Sequence, residues 1–314
     1  MSRPDRITLD DLVARALAED LGVPASVFAA AAASTAGAAG PPLLARDATT
    51  AAVVPAGSVF AGRIVARDEG VVCGLAAAAR VYELLAEAAG VAGAVAFEPL
   101  AADGDRVVRG DAVAEVSGDA AVLLAAERTA LNLVMVLSGI ATTAARWQEA
   151  AGPEVAVLDT RKTLPGMRSL TKWAVACGGA HPHREGLWDM VLVKDNHVRL
   201  AGGLSAAIAS ARATHPELRI EVEADTVEQA IEAARAGADV VLLDNMDAAT
   251  MRRAVDAVRG ASAGRDARTL TEASGGVTFE RIGEIVATGV DRISTSALGL
   301  APPLDFGFDE QTVG

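Results

Sequence analysis

The sequence predicts an α/β protein in two parts: a mixed sheet with helices over residues 1–119, then a parallel sheet covered by helices over 120–297. Three observations carry this. Short apolar runs of strand length recur along the chain, bounded by Gly, Pro, Asp and Asn. From residue 155 such runs alternate with stretches of helix length, which is the rhythm of a parallel sheet. Between the halves lies one long segment, 121–150, with a helical stripe of Leu123, Leu124, Leu131, Val134 and Leu137.

Taken in order, residues 7–21 read as an amphipathic helix, with Thr8 and Asp11 resembling a capping box and Leu9, Leu12, Val13, Ala16 and Leu17 as its apolar face. Residues 27–47 read as loop with at most one short helix, broken at Pro41-Pro42. Val53-Val54 and 59–65 read as strands joined by a turn at Pro55-Ala-Gly57. Residues 76–89 form a helix stopped by Gly90, and 91–97 a strand. Turns at Asp103-Gly104-Asp105 and Gly110-Asp111 bracket Val107-Val108, and a further short strand carries Val113 and Val116. The long helix then follows, with a candidate break at Ser138-Gly139. Beyond it the strands are 155–158, 190–193, 218–222, 240–243, 269–271 and 290–293; the helices between them are 169–177, 204–214, 226–236, 248–258 and 279–288. Six units are too few for a closed eight-stranded barrel, which takes roughly 250 residues. A smaller or incomplete barrel, or an open doubly wound sheet, fits the length.

Composition narrows the function. The 314 residues are 51% hydrophobic, 22% charged and only 3% aromatic, so the core is built of Ala, Val and Leu. A net charge of −13 argues against non-specific binding to nucleic acid or anionic membrane. Cys73 and Cys177 lack both a disulfide framework and zinc spacing. The first residues lack an apolar signal core, and no apolar run is expected to span a membrane. The expectation is a cytoplasmic protein.

The informative residues sit where the later strands end. In order these are Asp159 with Arg161 and Lys162, Lys194-Asp-Asn-His197, Glu221 and Glu223, Asp244-Asn245, Glu272 with Ser274-Gly275-Gly276, and Ser294-Thr-Ser296. Carboxyl ends of parallel strands converge on one face. Any one of these groups alone reads equally well as a helix cap or a solvated charge; a polar terminus on every strand points to one pocket. Only three residues of the chain are lysines, Lys162, Lys172 and Lys194, all in this window. Arg161, Lys162, His183, Arg184 and Lys194 suit a ligand with several carboxylates or phosphates. Glu223 and Asp244 suit Mg²⁺, a hard cation that takes oxygen ligands, or equally acid–base work. Ser274-Gly275-Gly276, before a helix expected near Thr278, suits a phosphate. Arg128, in the long helix, reads locally as paired with solvent or with Glu127.

Several words in this chain, in one order, resemble the quinolinate phosphoribosyltransferase family: Glu127-Arg-Thr-Ala-Leu-Asn132, Leu137-Ser-Gly-Ile-Ala-Thr142, Asp159-Thr-Arg-Lys-Thr-Leu-Pro-Gly166, His183-Arg-Glu-Gly-Leu187, Lys194-Asp-Asn-His197, Glu221-Val-Glu223, Leu243-Asp-Asn245 and Ser274-Gly-Gly276. The resemblance covers most of the chain and is strongest over 120–297. It implies an N-terminal α/β sandwich-like domain, rejoined by residues 298–314, and a C-terminal incomplete parallel α/β barrel. It implies Mg²⁺-dependent transfer of phosphoribosyl from phosphoribosyl pyrophosphate to the ring nitrogen of quinolinate, with decarboxylation. By it, Arg161, Lys162, His183, Arg184 and Lys194 bind quinolinate and neighbouring phosphates. Glu223 and Asp244 handle the Mg²⁺-bound donor. Ser274, Gly275 and Gly276 take the 5′-phosphate, beside Ser296 and Ala297. Lys162, Lys194, Glu223 and Asp244 are the catalytic set. It also implies a homodimer or assembly of dimers with shared sites, Arg128 being donated across the interface; the acidic composition, not the resemblance, gives the expectation of no nucleic-acid or membrane partner.

Two departures stand out. Pro182 occupies the place where the family usually has Asn before the His-Arg pair, and Ser296 stands where Gly is usual. They keep open a divergent homologue with another substrate, such as the molybdenum-transport-associated relatives, or a non-catalytic binding protein. A third reading is an unrelated barrel lyase or phosphatase using Glu223 and Asp244 as a metal pair.

Overall fold

The computed structural model describes residues 6–33, 43–264 and 267–311, and these fall into two compact units. One comprises residues 1–142, 165–178 and 301–314, the other 143–164 and 179–300. The division thus falls inside the long helix at 142, where sequence periodicity placed the start of the second region at 120. The expected break at Pro41-Pro42 lies outside the described residues.

The first unit begins with α1 (Arg6–Leu21), α2 (Ser26–Ala33), a 3-10 turn (Leu43–Arg46) and α3 (Ala48–Val53). α1 starts before Thr8, so Thr8 and Asp11 lie inside the helix rather than capping it; Asp11 pairs with Arg15 one turn on, at 2.7 Å. The strand expected at Val53-Val54 is absent. Asp47 caps α3 by accepting from the N–H groups of Thr49 and Thr50, and this cap outweighs two β-branched residues. β1 (Val59–Ala66), β2 (Gly70–Val71), α4 (Leu75–Ala88), β3 (Val95–Pro99), β4 (Arg106–Val107) and β5 (Ala112–Asp119) follow, and most of α5 (Ala120–Ala151). Also in this unit are α6 (Arg168–Cys177) and β12 (Phe306–Glu310). Its main sheet is antiparallel in the order β12-β1-β5-β3.

α5 is unbroken at Ser138-Gly139. Gly139 serves close packing instead: a Cβ there would lie 2.0 Å from the Pro302 carbonyl oxygen. α5 is also long and apolar enough to cross a membrane, against the sequence expectation; its most apolar stretch is 56% buried within the protein, as in a core helix. Cys73 and Cys177, distant in sequence, are free thiols whose sulfurs meet; that contact, with burial, pushes the Cys73 thiol far up.

The second unit holds the end of α5 and then β6 (Ala156–Leu158), β7 (Val191–Val193), α7 (Asp195–Ala201), α8 (Leu204–Thr214), β8 (Ile220–Ala224) and α9 (Val227–Ala236). β9 (Val240–Asp244), α10 (Ala248–Ala261), β10 (Leu270–Ser274), a 3-10 turn (Phe279–Arg281), α11 (Ile282–Val286) and β11 (Arg292–Ser294) complete it. All neighbouring strands are parallel, in the order β6-β11-β10-β9-β8-β7. A doubly wound sheet reverses its strand order at a switch point; this one runs steadily in one direction and then places its first strand beside its last, as a barrel does. The ring stays open between β6 and β7. This is the incomplete parallel α/β barrel. Its strands are buried on both faces, so Val, Leu and Ile dominate them.

Candidate active site

The period-two geometry of strands fixes which groups enter the barrel. Paired positions across the parallel ladder face the same side. Glu272 lies opposite Leu242 and Arg292, Leu242 opposite Glu223, and Ser274 opposite Asp244. Two steps back on each strand, or two steps forward, remain on that face. The interior therefore carries two polar layers. Glu223, Asp244, Ser274 and Ser294 end the strands at the mouth, and Glu221, Glu272 and Arg292 lie beneath.

At the mouth, Lys194 at the end of β7 forms an ion pair with Glu223 at the end of β8. The segment Lys194-Asp-Asn-His197 is not only a polar strand end but the start of α7. His197 Nδ1 accepts the Lys194 backbone N–H at 3.0 Å, fixing the turn from which the Lys194 side chain departs. The sequence expectation gave the cations and the carboxylates to different ligands; the pair Lys194–Glu223 joins the two sets. Glu223, Asp244 and Asp225 each offer a carboxylate oxygen, and these atoms lie within 4.8 Å of one another. An all-oxygen donor set of this kind fits a hard divalent cation such as Mg²⁺. Asp225 was missed in the sequence reading, although its spacing from Glu223 equals that of Glu223 from Glu221.

The turn after β10 is built for close approach. Gly275 and Gly276 have φ of 76° and 57°, and a Cβ on Gly275 would meet the Asn245 side chain at 2.4 Å. Asn245 itself adopts φ 52°, and its amide donates to Asp244 at 2.7 Å. Successive left-handed residues point backbone N–H groups into one concavity, an anion nest. The helix expected near Thr278 is a 3-10 turn followed by a five-residue helix, so any anion here is held by the turn's own N–H groups. Ser296 and Ala297 follow β11, half-buried. Gly299 lies against the Lys162 carbonyl, which a Cβ would approach to 2.6 Å, so the loops after β6 and β11 touch.

Arg161 and Lys162 are exposed in the loop after β6. Arg184 is half-buried; burial, and Arg161 beside it, hold its guanidinium below the ordinary arginine range. Two guanidinium groups near enough to repel one another favour an anion between them. Arg128 belongs to the other unit, exposed on α5, and is not one of the groups the parallel strands gather. Lys172, grouped with the other lysines by sequence, is fully buried in α6 of that same unit.

His183 is positioned from several directions. His181 forms a parallel bridge to Leu158, with His181 N donating to the Val157 carbonyl at 2.8 Å. His183 N donates to Asp159 at 2.6 Å. Residues 181 and 183 thus face β6, and the intervening Pro182 has its nitrogen turned the other way. The missing N–H at Pro182 costs no bond to β6. The His183 ring crosses into the barrel, its Nε2 lying 3.0 Å from Glu221 and 3.5 Å from Glu272. Burial works against charge on this ring, but the two carboxylates prevail and push its pKa up to about 10. Burial, with Glu272 adjacent, also pushes the Glu221 carboxyl up. Both directions describe proton retention between the ring and the carboxylates. Nδ1 accepts the Arg184 backbone N–H at 2.7 Å, which opposes a second ring proton there, so the proton that these groups retain lies on the Nε2 side, facing the carboxylates. Glu221 and Glu272 were expected only as polar groups at strand ends, with no role assigned; two-residue alternation places them directly beneath the mouth.

A singly wound parallel barrel whose mouth gathers cations, oxygen donors and an anion nest defines an α/β-barrel enzyme for polyanionic small molecules. Comparison with known proteins narrows this. The model for the quinolinate phosphoribosyl transferase C-terminal domain matches residues 140–309, and that for the N-terminal domain matches 47–138. A nicotinate-nucleotide pyrophosphorylase (carboxylating) of Mycobacterium leprae is 41% identical over 268 residues, 84% of this chain and 90% of that protein. A probable enzyme of the same name from Synechocystis is 43% identical over 75% of this chain and 77% of its own length. The structure of NadC from Streptococcus pyogenes superposes with a TM-score of 0.83 at 32% identity, covering 98% of each chain. The nicotinate-nucleotide pyrophosphorylase structure from Francisella tularensis gives 0.82 at 28% identity, over 99% of this chain and 100% of the other. The chain belongs to the quinolinate phosphoribosyltransferase family.

Proposed function

We propose that this protein transfers the phosphoribosyl group of phosphoribosyl pyrophosphate to the ring nitrogen of quinolinate with decarboxylation, giving nicotinate mononucleotide, pyrophosphate and CO₂ for NAD biosynthesis. The observation that carries the reading is the juxtaposition at the barrel mouth. Arg184 sits beside Arg161, and Lys194 pairs with a carboxylate of the Glu223–Asp225–Asp244 group. A dicarboxylate acid suits the first set, and a pyrophosphate donor suits the second.

The ring nitrogen attacks C1 of the ribose as the C1–oxygen bond to pyrophosphate breaks. The bond from ring C2 to its carboxylate then breaks, CO₂ leaves, and the electron pair left on C2 takes a proton. The alkylated, positive ring nitrogen stabilises that pair, so no further electron sink is required. Arg161, Lys162 and Arg184 neutralise and orient the acid. Glu223 and Asp244 face the sugar as positive charge develops on it. Ser274, Gly275 and Gly276 seat the 5′-phosphate through backbone N–H groups, beside Ser296 and Ala297. Glu223, Asp244 and Asp225 would hold Mg²⁺, which when bound supplies charge neutralisation for the leaving pyrophosphate. Arg128 reaches the site from a second copy in a homodimer with shared sites.

Incubation with quinolinate, Mg²⁺ and phosphoribosyl pyrophosphate should release CO₂ and pyrophosphate in equal amounts. Folded protein that binds the donor but releases no CO₂ would overturn the assignment in favour of another acid.

A further inference from the structure

The buried layer beneath the mouth has no role in the reaction as written. Glu221 and Glu272 are 0% exposed, and beyond their ion pairs with His183 and Arg292 neither carboxylate has a hydrogen-bond partner among the described residues. What surrounds them is the His183 ring and, 3.7 Å from Glu272, the Arg292 guanidinium. Two carboxylates in a barrel interior usually filled by Val, Ile and Leu ask for an explanation.

His183 supplies it. Both ring nitrogens are engaged within the protein, Nδ1 by the Arg184 N–H and Nε2 by the carboxylates. Neither is left to hold a substrate carboxylate. The ring's backbone neighbours close the free edge of β6, and the barrel is open between β6 and β7. The side chain therefore acts as a pin driven across the opening into β8 and β10. Arg184 follows directly, its N–H on the pinned ring and its guanidinium donating to the Met190 carbonyl at 3.2 Å, next to Arg161.

We propose that Glu221 and Glu272 are positioning residues for the acid-substrate site. They hold the His183 imidazole inside the barrel, and through it they set the backbone at 181–184 from which Arg184 meets the substrate. His183 is accordingly a second positioning residue and not a direct ligand of the acid. The proposal rests on the phosphoribosyltransferase reading for its substrate and on this geometry for its mechanism.

His183, Glu221 and Glu272 also have the composition of a metal site, with donor atoms within 4.8 Å of one another. The Arg184 N–H facing Nδ1 decides against this. It opposes a proton on Nδ1, so the retained proton lies on the Nε2 side, at the atom that would have to offer a lone pair to the metal.

The test is steady-state kinetics of Glu272→Gln, His183→Gln and the double variant, varying each substrate separately. Positioning predicts that each single change raises the KM for quinolinate about 10- to 100-fold, with the donor KM little changed. It also predicts that the double variant is hardly worse than either single one. A Glu272→Gln protein with unchanged quinolinate KM beside a crippled His183→Gln protein would make His183 a direct ligand and overturn the proposal. So would one equivalent of tightly held transition metal that Glu221→Gln releases. Should these variants fail to fold, hydrogen exchange on the unaltered protein still decides. The Arg184 and His183 amides should be strongly protected, and fast exchange at both refutes the pin. That measurement needs no substrate, so an absence of turnover refutes the proposed function alone.

Discussion

At the scale of single residues, Arg161 and Asp244 separate the two halves of the proposed reaction. Loss of one charge-assisted contact to the acid is worth about 1.5–3 kcal/mol. Arg161→Ala should therefore raise the quinolinate KM about 10- to 100-fold and leave use of the donor nearly intact. Asp244→Ala should instead lower kcat/KM for the Mg²⁺-bound donor about 100-fold, as removal of a group facing developing charge does. Initial rates with each substrate varied in turn check this; equal defects toward both substrates in both variants would refute the division. Charge type at strand ends was readable without a structure, because the parallel rhythm forces those ends together. Pairing was not. Lys194 meets Glu223 only because His197 turns the chain at the start of α7, a bond between backbone and ring that no charge count reveals. His183 was expected among the cations for the substrate; that Glu221 and Glu272 lie beside its ring was not legible, because they sit on strands distant in sequence.

At the scale of elements, two predictions concern what the strand and helix patterns leave unstated. Gly139 reads as a helix breaker, yet α5 runs through it because the Pro302 carbonyl occupies the space a side chain would need. Gly139→Ala should destabilise the protein by about 1–3 kcal/mol through overpacking, despite a helix-propensity gain of about 1 kcal/mol. Urea unfolding measures the balance, and a stabilised variant would show that the contact yields. Asp291, just before β11, accepts from the Thr271 N–H of β10 at 2.8 Å and pairs with Arg268 at 2.6 Å. Burial opposes its charge, but Arg268 and the Thr271 N–H hold its carboxyl below the usual range. A depressed carboxyl stabilises the fold above its unfolded pKa, and that contribution is lost as pH falls through the folded value. Asp291→Asn should thus lower stability by about 1–3 kcal/mol at pH 7, and its gap from the unaltered protein should narrow as pH falls below about 4. A gap independent of pH would assign the effect to shape rather than charge. Strand existence was legible from apolar runs in most cases. Val53-Val54 was not, since an Asp cap on the preceding turn decided the local structure, and neither was the helical start at Asp195.

At the scale of the whole molecule, the strand order was beyond the reach of local pattern. Alternation of strands and helices is the same in a doubly wound sheet and in a barrel, and only the pairing of β6 with β11 separates them. β12 likewise pairs with β1 from the far end of the chain, a match that no short-range signal in residues 306–310 specifies. Arg128 poses the corresponding question for assembly. It lies in the unit formed largely by residues 1–142, while Arg161 lies in the unit that holds the barrel. If Arg128 completes the site of a partner, a dimer of one Arg128→Ala chain and one Arg161→Ala chain carries both lesions in one site and none in the other. Random association makes half of all dimers mixed, each with one intact site of two, as two-fold symmetry requires. Co-expression should then restore about a quarter of the unaltered activity from two nearly inactive parents. If each chain instead builds its site alone, every site in the mixed dimer carries one lesion. The co-expressed pair would then be as inactive as its parents, and the site would have to be assigned to a single subunit.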